Sequence, residues 1–365
     1  MSPYRIVIGG DAYATDDTAA LREDFRRRYG TDSFEAELAD FIAEWLAPGP
    51  LLKVHTSGST GTPKELWVEK ERMVNSARLT LGFLHLQPGD TALLCMPLRY
   101  IAGKMVVIRS LVGGLDLLPV PPCGHPLAGL ERAPHFAALV PMQVFNTLQV
   151  PEEAALLRQV RHLIIGGGAI PPDMAAALHG FPHAVWSTYG MTETLSHIAL
   201  RRLNGPEASD WYTPLADVRI RLSAERTLII AAPAVCAEEL TTNDIAELDG
   251  QGRFRILGRK DNTLNTGGVK VQIEQVEEAL RPLLPFPFFI TAAPDPKFGD
   301  RIVLLAEGDS LPPVGLLAEA FAQLPPYWRP RQTVCTPRLP YTGTGKPDRA
   351  KARELARASI DRKTD

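Results

Sequence analysis

A nine-residue segment rich in glycine and hydroxyl side chains is the part of the sequence best suited to binding phosphate. It reads Thr56-Ser57-Gly58-Ser59-Thr60-Gly61-Thr62-Pro63-Lys64. Glycines let the backbone approach a ligand closely, while amides, hydroxyls and a lysine supply donors and positive charge to phosphate oxygens. The spacing is not that of a P-loop, because Pro63 stands where a P-loop has glycine before its lysine. The segment predicts a phosphate-binding loop, with a polar surface turn as the alternative.

A second motif directly follows the apolar residues AVW and contains Ser187, Thr188, Tyr189, Gly190, Thr192 and Glu193. A strand that leads into a glycine-containing loop places side chains at the carboxyl edge of a sheet, where open α/β sheets bind ligands. Tyr189 can offer a ring face to a base, Thr192 a hydroxyl to a phosphate, and Glu193 an oxygen to Mg²⁺. The alternative is a helix start, capped by Thr192 or Ser187.

Two further groups of residues could complete a nucleotide site. Asp244 precedes Arg259 by fifteen residues; a carboxylate is the usual partner of ribose hydroxyls, and an arginine can hold phosphate or ribose oxygens. Near the C-terminus, glycines and threonines surround Lys346 just before a polar helical tail. Each group also has a structural interpretation, because aspartate is common in turns and most surface lysines are solvated.

The elements around these motifs indicate an α/β fold. Helical spacing predicts helices over 34–46, 67–84 and 102–112, and short apolar runs predict strands, among them 91–98. The alternation of such runs with helices predicts a parallel sheet covered by helices, followed from about residue 217 by a short antiparallel β unit.

The pattern predicts two domains. A large N-terminal α/β domain is expected over 1–258 and a small α+β domain over 259–365. The smaller domain contains the strands GVKVQI, FFITAAPD and RIVLLAE, helices over 274–283 and 314–324, and a C-terminal helix. The boundary is predicted at 259–261.

Composition limits the classes of function. The chain has 365 residues, 45% of them hydrophobic, and a net charge of −3, which argues against broad nucleic-acid binding. Its four cysteines form no CxxC pair, which favours reduced thiols in the cytoplasm over a disulfide frame or a zinc site. The N-terminus is a poor signal peptide and no apolar stretch has the length to span a bilayer. The sequence does not indicate an oligomeric state.

In this order the four motifs resemble the adenylate-forming superfamily of acyl-CoA synthetases, adenylation domains and luciferases. The resemblance includes a loop at Gly167-Gly168-Ala169 and a hinge motif at 258–261, and it extends over about 51–355. The segments 97–105, 187–205 and 257–280 are similar to the o-succinylbenzoate–CoA ligases of menaquinone biosynthesis, in their short bacterial form. Glu65 and Asn262 depart from the family pattern, at positions where glycine and aspartate are common.

The resemblance implies ATP, Mg²⁺ and CoA as ligands and a reaction in two halves. A carboxylic acid and ATP would first give an acyl-adenylate and pyrophosphate, and CoA would then displace AMP. The implied catalytic residues are Lys346, Thr192 and Glu193, with Glu193 near Mg²⁺. The implied ATP and AMP ligands are Thr56, Ser57, Gly58, Ser59, Thr60, Gly61, Lys64, Gly167, Gly168, Ser187, Thr188, Tyr189, Gly190, Thr192, Asp244, Arg259 and Lys346.

Three other roles come from the resemblance. Asp261 matches the hinge of a mobile C-terminal domain, and Gly267 and Gly268 match the side of the site that faces CoA. Candidates for the acyl pocket are Arg99, Tyr100, Lys104, Ser196 and His197. The alternatives are an acyl- or aryl-CoA synthetase or stand-alone adenylation enzyme for another acid, and a non-catalytic nucleotide-binding protein.

Overall fold

The computed structural model describes residues 5–14, 16–55, 65–342 and 347–361. Its strands are β1 (Arg5–Ile8), β2 (Asp11–Ala14), β3 (Leu51–His55), β4 (Glu65–Glu69), β5 (Thr91–Leu94), β6 (Asp116–Pro119), β7 (Phe136–Leu139), β8 (His162–Ile165), β9 (Ala184–Gly190), β10 (His197–Arg202), β11 (Thr213–Pro214), β12 (Arg219–Leu222), β13 (Thr227–Ala231), β14 (Leu240–Leu248), β15 (Phe254–Arg259), β16 (Thr263–Thr266), β17 (Val269–Gln272), β18 (Phe288–Asp295), β19 (Gly299–Glu307) and β20 (Gln332–Thr336).

The α-helices are α1 (Thr18–Tyr29), α2 (Phe34–Leu46), α3 (Lys70–Leu84), α4 (Ile101–Gly113), α5 (Pro141–Leu148), α6 (Pro151–Gln159), α7 (Pro172–His179), α8 (Ile273–Leu280), α9 (Val314–Ala322) and α10 (Arg349–Asp361). Three short 3₁₀ turns cover Thr192–Thr194, Lys260–Asn262 and Pro326–Trp328. None of the described helices has the length and apolar character needed to cross a membrane.

A nine-stranded sheet has the order β11-β10-β9-β8-β7-β5-β6-β1-β2. Strands β9, β8, β7, β5, β6 and β1 run parallel, and β10 and β2 pair antiparallel near the two edges. Some of the parallel strands are continuous apolar runs, such as Phe136–Leu139, whose four residues are all buried. Such runs are expected where helices cover both faces of a parallel sheet. The predicted α/β class is therefore confirmed.

The core of this sheet lies between its central strands and helices α5, α6 and α7. Leu93, Leu139 and Ile165 from the strands pack with Leu157 of α6 and Leu178 of α7, all of them inaccessible to solvent. Every one of these helices begins at or beside a proline, which fixes a helical φ where no amide donor is needed.

The predicted helix over 67–84 is wrong at its start. Glu65–Glu69 forms β4, which pairs antiparallel with β3 and alternates between exposed and half-buried side chains. That period of two is the period of a strand, and helix α3 begins only at Lys70. The predicted helices over 34–46, 102–112, 274–283 and 314–324 are present with small shifts at their ends.

Two smaller sheets follow. One has the order β12-β13-β14-β15, and the other contains β17-β16-β19-β18, with β20 parallel to β19. In β18 and β19, Ile290 and Leu304 face α8 and α9, whereas Phe289 and Val303 face α10. The α+β arrangement predicted for the C-terminal region is therefore present, with helices on both faces of its sheet.

Internal contacts divide the chain into two compact units. The first comprises the residues up to Ile220 with Ile230–Leu240 and Gly250–Arg253, and the second comprises Arg221–Ile229, Thr241–Asp249 and the residues from Phe254 onwards. The second unit thus begins upstream of the predicted boundary at 259–261. A division by contacts does not locate a hinge, so that boundary stays a prediction.

Candidate active site

The end of strand β9 approaches β10 so closely that only glycine fits at its last position. A Cβ added to Gly190 would lie 2.2 Å from the carbonyl oxygen of Ser196 and 2.6 Å from Cα of His197. Both are backbone atoms, so no movement of a side chain can relieve the clash. The register between the two strands shifts at this point, between His197 and Ala199. Gly190 therefore sets the geometry of the turn that follows.

The turn Thr192–Thr194 is held by Thr194, whose side chain is fully buried. Its Oγ1 accepts from the Met191 amide at 3.0 Å and lies 2.7 Å from the Ser196 carbonyl oxygen, to which it donates. Leu195 then takes a left-handed backbone conformation (φ 64°) that is unusual for a non-glycine residue. The backbone is thus strained directly after the predicted catalytic residues.

Thr192 and Glu193 lie at the surface of this turn. Glu193 is exposed and Thr192 half-buried, and neither side chain has a hydrogen-bond or ion-pair partner in the described part of the chain. Within the same part, no three histidine, cysteine, aspartate or glutamate side chains meet as a protein-only metal site. An exposed single carboxylate fits Mg²⁺, which commonly takes one or two carboxylates and completes its shell with water and substrate phosphate.

The other predicted residues of β9 lie beside the loop after β8. Thr188 Oγ1 donates to the Ile165 carbonyl at 3.4 Å, and Gly167 and Gly168 follow β8 next to Val140 and Pro141. Ser187 is buried and its hydroxyl is 2.8 Å from that of Tyr212. The rings of Tyr189 and Tyr212 are 5.9 Å apart between centroids.

A buried polar chain runs through two predicted acyl-pocket residues. Arg109 Nη2 donates to Ser196 Oγ at 2.6 Å, Ser196 Oγ is 3.4 Å from His197 Nδ1, and His197 Nε2 is 3.0 Å from Thr80 Oγ1. Thr80 Oγ1 donates to the Ser76 carbonyl at 3.3 Å. Every hydroxyl of the chain is satisfied if Ser196 donates to His197 Nδ1 and His197 Nε2 donates to Thr80 Oγ1.

Arg109 is a buried cation that has no anionic partner among the described residues. It is 2% exposed, it forms no ion pair with any described residue, and its Nε has no hydrogen-bond partner there. Burial lowers the pKa of Arg109 to about 10, so the guanidinium is still charged near neutral pH. Burial and the charge of Arg109 hold the pKa of His197 well below its usual range, so that ring is neutral.

The remaining acyl-pocket candidates, Arg99, Tyr100 and Lys104, make other contacts. Lys104 lies on another face of α4, with Nζ 3.6 Å from a carboxylate oxygen of Glu44 and 4.4 Å from the ring centroid of Phe41. Five residues separate it from Arg109, and in a helix that spacing turns the two side chains well apart. Arg99 is exposed and stacks on Tyr100 at 4.8 Å. None of these contacts is with Ser196 or His197, so the place of the three residues in an acyl pocket stays a prediction.

Asp244 and Arg259 are direct partners across β14 and β15. Arg259 Nη1 lies 3.2 Å from Asp244 Oδ1, and Nη2 lies 3.0 Å from an oxygen of the predicted hinge residue Asp261. Asn243 Nδ2 also donates to Asp261 at 3.1 Å. Asp244 and Arg259 therefore belong, with Asp261, to one cluster of a cation and two carboxylates.

Gly267 and Gly268 form the two-residue turn between β16 and β17, and both have positive φ values, 60° and 82°. Hairpin loops of two residues favour such values, which glycine adopts without strain. Beside the turn, a Cβ on Gly267 would lie 3.3 Å from the Phe298 ring and 3.7 Å from that of Tyr327. Arg331 stacks on Phe298 at 3.7 Å. The turn thus lies against two aromatic rings, and a guanidinium stacks on one of them.

The predicted phosphate loop at 56–64 and Lys346 lie outside the described residues, so their predicted roles stay predictions. The segments that flank them are described. Strands β3 and β4 pair so that His55 is opposite Glu65, and Tyr341 pairs with Pro347 in an isolated antiparallel bridge.

Four residues at the candidate site have no role in the sequence prediction: Arg109, Thr194, Phe298 and Tyr327. Arg109 has a detectable signal, because it is a lone charge in the apolar run MVVIRSLV of a predicted helix. A solvated surface arginine is not expected in such a run. The other three residues carry no local signal that separates them from ordinary structural residues.

Comparison with known proteins identifies the family. The profile of the AMP-binding enzymes matches residues 15–232. A Salmonella typhimurium protein named 2-succinylbenzoate–CoA ligase is 30% identical over 287 residues, a match that covers 74% of this chain and 60% of the relative. A Mycobacterium tuberculosis protein named probable 2-succinylbenzoate–CoA ligase is 29% identical and is covered over 85% of both chains. The chain thus spans three fifths of the first relative's length.

Solved structures agree with this result. An acyl-CoA synthetase (AMP-forming)/AMP-acid ligase II-like protein from Dyadobacter fermentans is 31% identical with a TM-score of 0.63, covering 91% of this chain and 96% of that one. The fold is also similar to that of o-succinylbenzoate coenzyme A synthetase from Bacillus subtilis in complex with ATP and magnesium, at 17% identity, a TM-score of 0.72 and coverage of 96% and 97%. The chain belongs to the family of AMP-binding enzymes.

Proposed function

We propose that the chain is an ATP-dependent acid–CoA ligase that converts o-succinylbenzoate to o-succinylbenzoyl-CoA through an acyl-adenylate, in the cytoplasm. Family membership supports the adenylation chemistry, and the names of the relatives favour this acid. The observation that carries the choice of substrate is the buried Arg109, which has no carboxylate partner among the described residues.

Arg109 suits the second carboxylate of this acid. A buried guanidinium without an anion costs stability, because its lost hydration is not replaced. o-Succinylbenzoate has one carboxylate that reacts and another that remains, and a planar guanidinium can hold a carboxylate with two hydrogen bonds. Ser196 and neutral His197 would line the same pocket, since both are already linked to Arg109.

In the first half-reaction, an oxygen of the substrate carboxylate attacks the α-phosphorus of ATP and the bond to pyrophosphate breaks. Carboxylate and triphosphate repel each other, so the site must supply donors and positive charge where negative charge develops. We assign Lys346 to the carboxylate and α-phosphate, the 56–64 loop to the other phosphates, and Thr192 to a phosphate oxygen. Tyr189 would stack on adenine beside Gly167 and Gly168.

Glu193 would hold Mg²⁺ together with phosphate oxygens, and the bound ion would neutralise charge on the phosphates. The exposed position of Glu193 and its lack of a partner in the described part of the chain support this assignment. Asp244 would accept from the ribose hydroxyls while Arg259 fixes its orientation through their contact at 3.2 Å.

In the second half-reaction the CoA sulfur attacks the acyl carbon, AMP leaves, and the thiol proton passes to solvent. The turn at Gly267 and Gly268 would lie beside the pantetheine arm. Phe298, Tyr327 and Arg331 support this assignment, because an aromatic surface and a guanidinium are suited to the base and phosphate of CoA. A hinge at Asp261 would separate the two half-reactions.

Mass spectrometry of the reaction products tests this proposal. We expect the purified chain with ATP, Mg²⁺ and o-succinylbenzoate to give the acyl-adenylate, and to give the thioester only when CoA is added. Lys346→Ala should lose adenylate formation. Products with another acid but not with o-succinylbenzoate would discard the proposed substrate, and no products with any acid of a panel would discard the ligase activity.

A further inference from the structure

Tyr212 occupies a defined place beside the predicted adenine-binding strand. The ladder pairs Ser187 of β9 with Arg201 of β10, and Leu200 of β10 with Thr213 of β11. Antiparallel register therefore puts Tyr212, the residue before β11, opposite Arg201. Ser187, Arg201 and Tyr212 form one row across three strands, with their side chains on the same face.

Tyr212 connects this row to Tyr189 in two ways. Its hydroxyl is 2.8 Å from Ser187 Oγ, and its ring centroid is 5.9 Å from that of Tyr189, at an interplanar angle of 58°. Ser187 and Tyr189 are two residues apart in β9, so both point to the same face of the sheet. Tyr212 thus contacts β9 at two successive positions of one face.

The Tyr212 ring also lies close to a cation. The guanidinium carbon of Arg201 is 5.5 Å from the ring centroid, and Arg201 Nη1 lies 3.1 Å from Asp210 Oδ1. A cation near the face of an aromatic ring is attracted by the ring quadrupole. Tyr212 is therefore in contact range of both the charge of Arg201 and the ring of Tyr189.

We infer that Tyr212 is a positioning residue of the nucleotide site, which fixes the Tyr189 ring before adenine arrives. The inference rests on the proposed role of Tyr189 in stacking on adenine. A ring held in its bound orientation loses less conformational freedom on binding, so preorganisation raises affinity. On this account Ser187 acts on the nucleotide through Tyr212, because its buried hydroxyl is already bonded to that of Tyr212.

The experiment measures AMP affinity by calorimetry and steady-state kinetics for Tyr212→Phe, Tyr212→Ala and Ser187→Ala. Tyr212→Phe removes one neutral hydrogen bond, so we expect the Kd for AMP and the KM for ATP to rise about 2- to 10-fold. The kcat and the KM for the acid should stay unchanged, and Tyr212→Ala should show a larger rise. The double variant of Ser187→Ala and Tyr212→Phe should resemble either single variant, since both remove the same contact.

Tyr29→Phe in α1 is the matched control, because Tyr29 is 51% exposed and remote in sequence from these strands. It should leave all constants unchanged. If the wild type binds AMP and both Tyr212 variants bind it equally well, the inference fails while the proposed function stands. A fall in kcat and melting temperature without a change in AMP affinity also overturns it. Absence of AMP binding by the wild type overturns the inference together with the nucleotide site.

Discussion

In the proposed site, the position of Arg109 would lower stability and provide a binding group at the same time. Its guanidinium lies in an otherwise apolar stretch of α4 and meets Ser196, a neutral partner. Selection for folding alone would favour an apolar residue there, because a well-packed hydrophobic side chain can replace a buried charge without loss. The residue therefore predicts a trade-off between stability and activity.

For Arg109→Met we expect a melting temperature equal to or above that of the wild type. The KM for o-succinylbenzoate should rise about 10- to 100-fold, the usual loss for a hydrogen bond to a charged group. The KM for ATP should be unchanged. The control is an analogue that has only the reacting carboxylate, whose KM should change little. An equal loss with both acids would contradict the role given to Arg109.

The buried His197 makes stability depend on pH. Its folded pKa is depressed, so below the unfolded value near 6.5 the unfolded chain binds a proton that the folded chain does not. The free energy of unfolding should therefore fall by up to about 1.4 kcal/mol per pH unit as pH drops from 6.5. Urea titrations from pH 7.5 to 5 check this. His197→Gln should have a shallower slope, and an unchanged slope would assign the effect to other groups.

At the scale of elements, the junction of β9 and β10 depends on the absence of a side chain at Gly190. Gly190→Ala would put a methyl group 2.2 Å from a backbone oxygen, so the strands must separate. We expect a loss of about 3 kcal/mol in the free energy of unfolding, and loss of adenylate formation. Chemical denaturation measures the first quantity.

Gly82→Ala is the control for this substitution. Gly82 lies in α3, and an added Cβ there meets nothing within 4 Å. Alanine should stabilise the helix by about 0.5–1 kcal/mol and leave activity unchanged. Equal effects of the two substitutions would show that the close approach of β9 and β10 is unimportant.

The turn after β15 depends on the amide of Asn262, at a position where aspartate is common in the family that the sequence resembles. Asn262 Nδ2 donates to Glu274 Oε1 at 2.5 Å, and burial raises the pKa of Glu274. Its other charged neighbours are Arg349 and Glu277. An aspartate at 262 would place two carboxylates together, so the departure from the family pattern at Asn262 agrees with the presence of Glu274.

We expect Asn262→Asp to unfold at a lower temperature than the wild type at pH 8, by the equivalent of about 1–3 kcal/mol. The deficit should shrink toward pH 5, because a carboxyl group whose folded pKa is raised gains stability as pH falls. Asn262→Ala lacks the added charge and should show a smaller deficit that is independent of pH. A deficit in the aspartate variant that does not change with pH would contradict this account.

At the scale of the whole molecule, the sequence predicts most of the architecture because apolar periods specify element type. The helix over 34–46 and the parallel strands follow directly from such periods. Strand β4 does not follow from its apolar period, because Trp67 and Val68 fit either a strand or the start of the helix after them. Its pairing with β3 decides in favour of the strand.

The site is predictable where its residues form local motifs and not where tertiary contacts select them. Asp244 and Arg259 are fifteen residues apart and meet because β14 and β15 pair antiparallel. Arg109 and Lys104 share a helix, and only packing decides which one reaches Ser196. Thr194 is indistinguishable in sequence from Thr192, yet it supports the turn that presents Thr192.

The most direct test of the central claim is exchange of labelled pyrophosphate into ATP with o-succinylbenzoate and Mg²⁺, in the absence of CoA. Exchange requires reversible formation of the acyl-adenylate and does not depend on the second half-reaction. The account predicts exchange that requires the acid, is lost in Lys346→Ala, and needs about 10- to 100-fold more acid in Arg109→Met. Absence of exchange with o-succinylbenzoate, in a preparation that binds AMP, would contradict it.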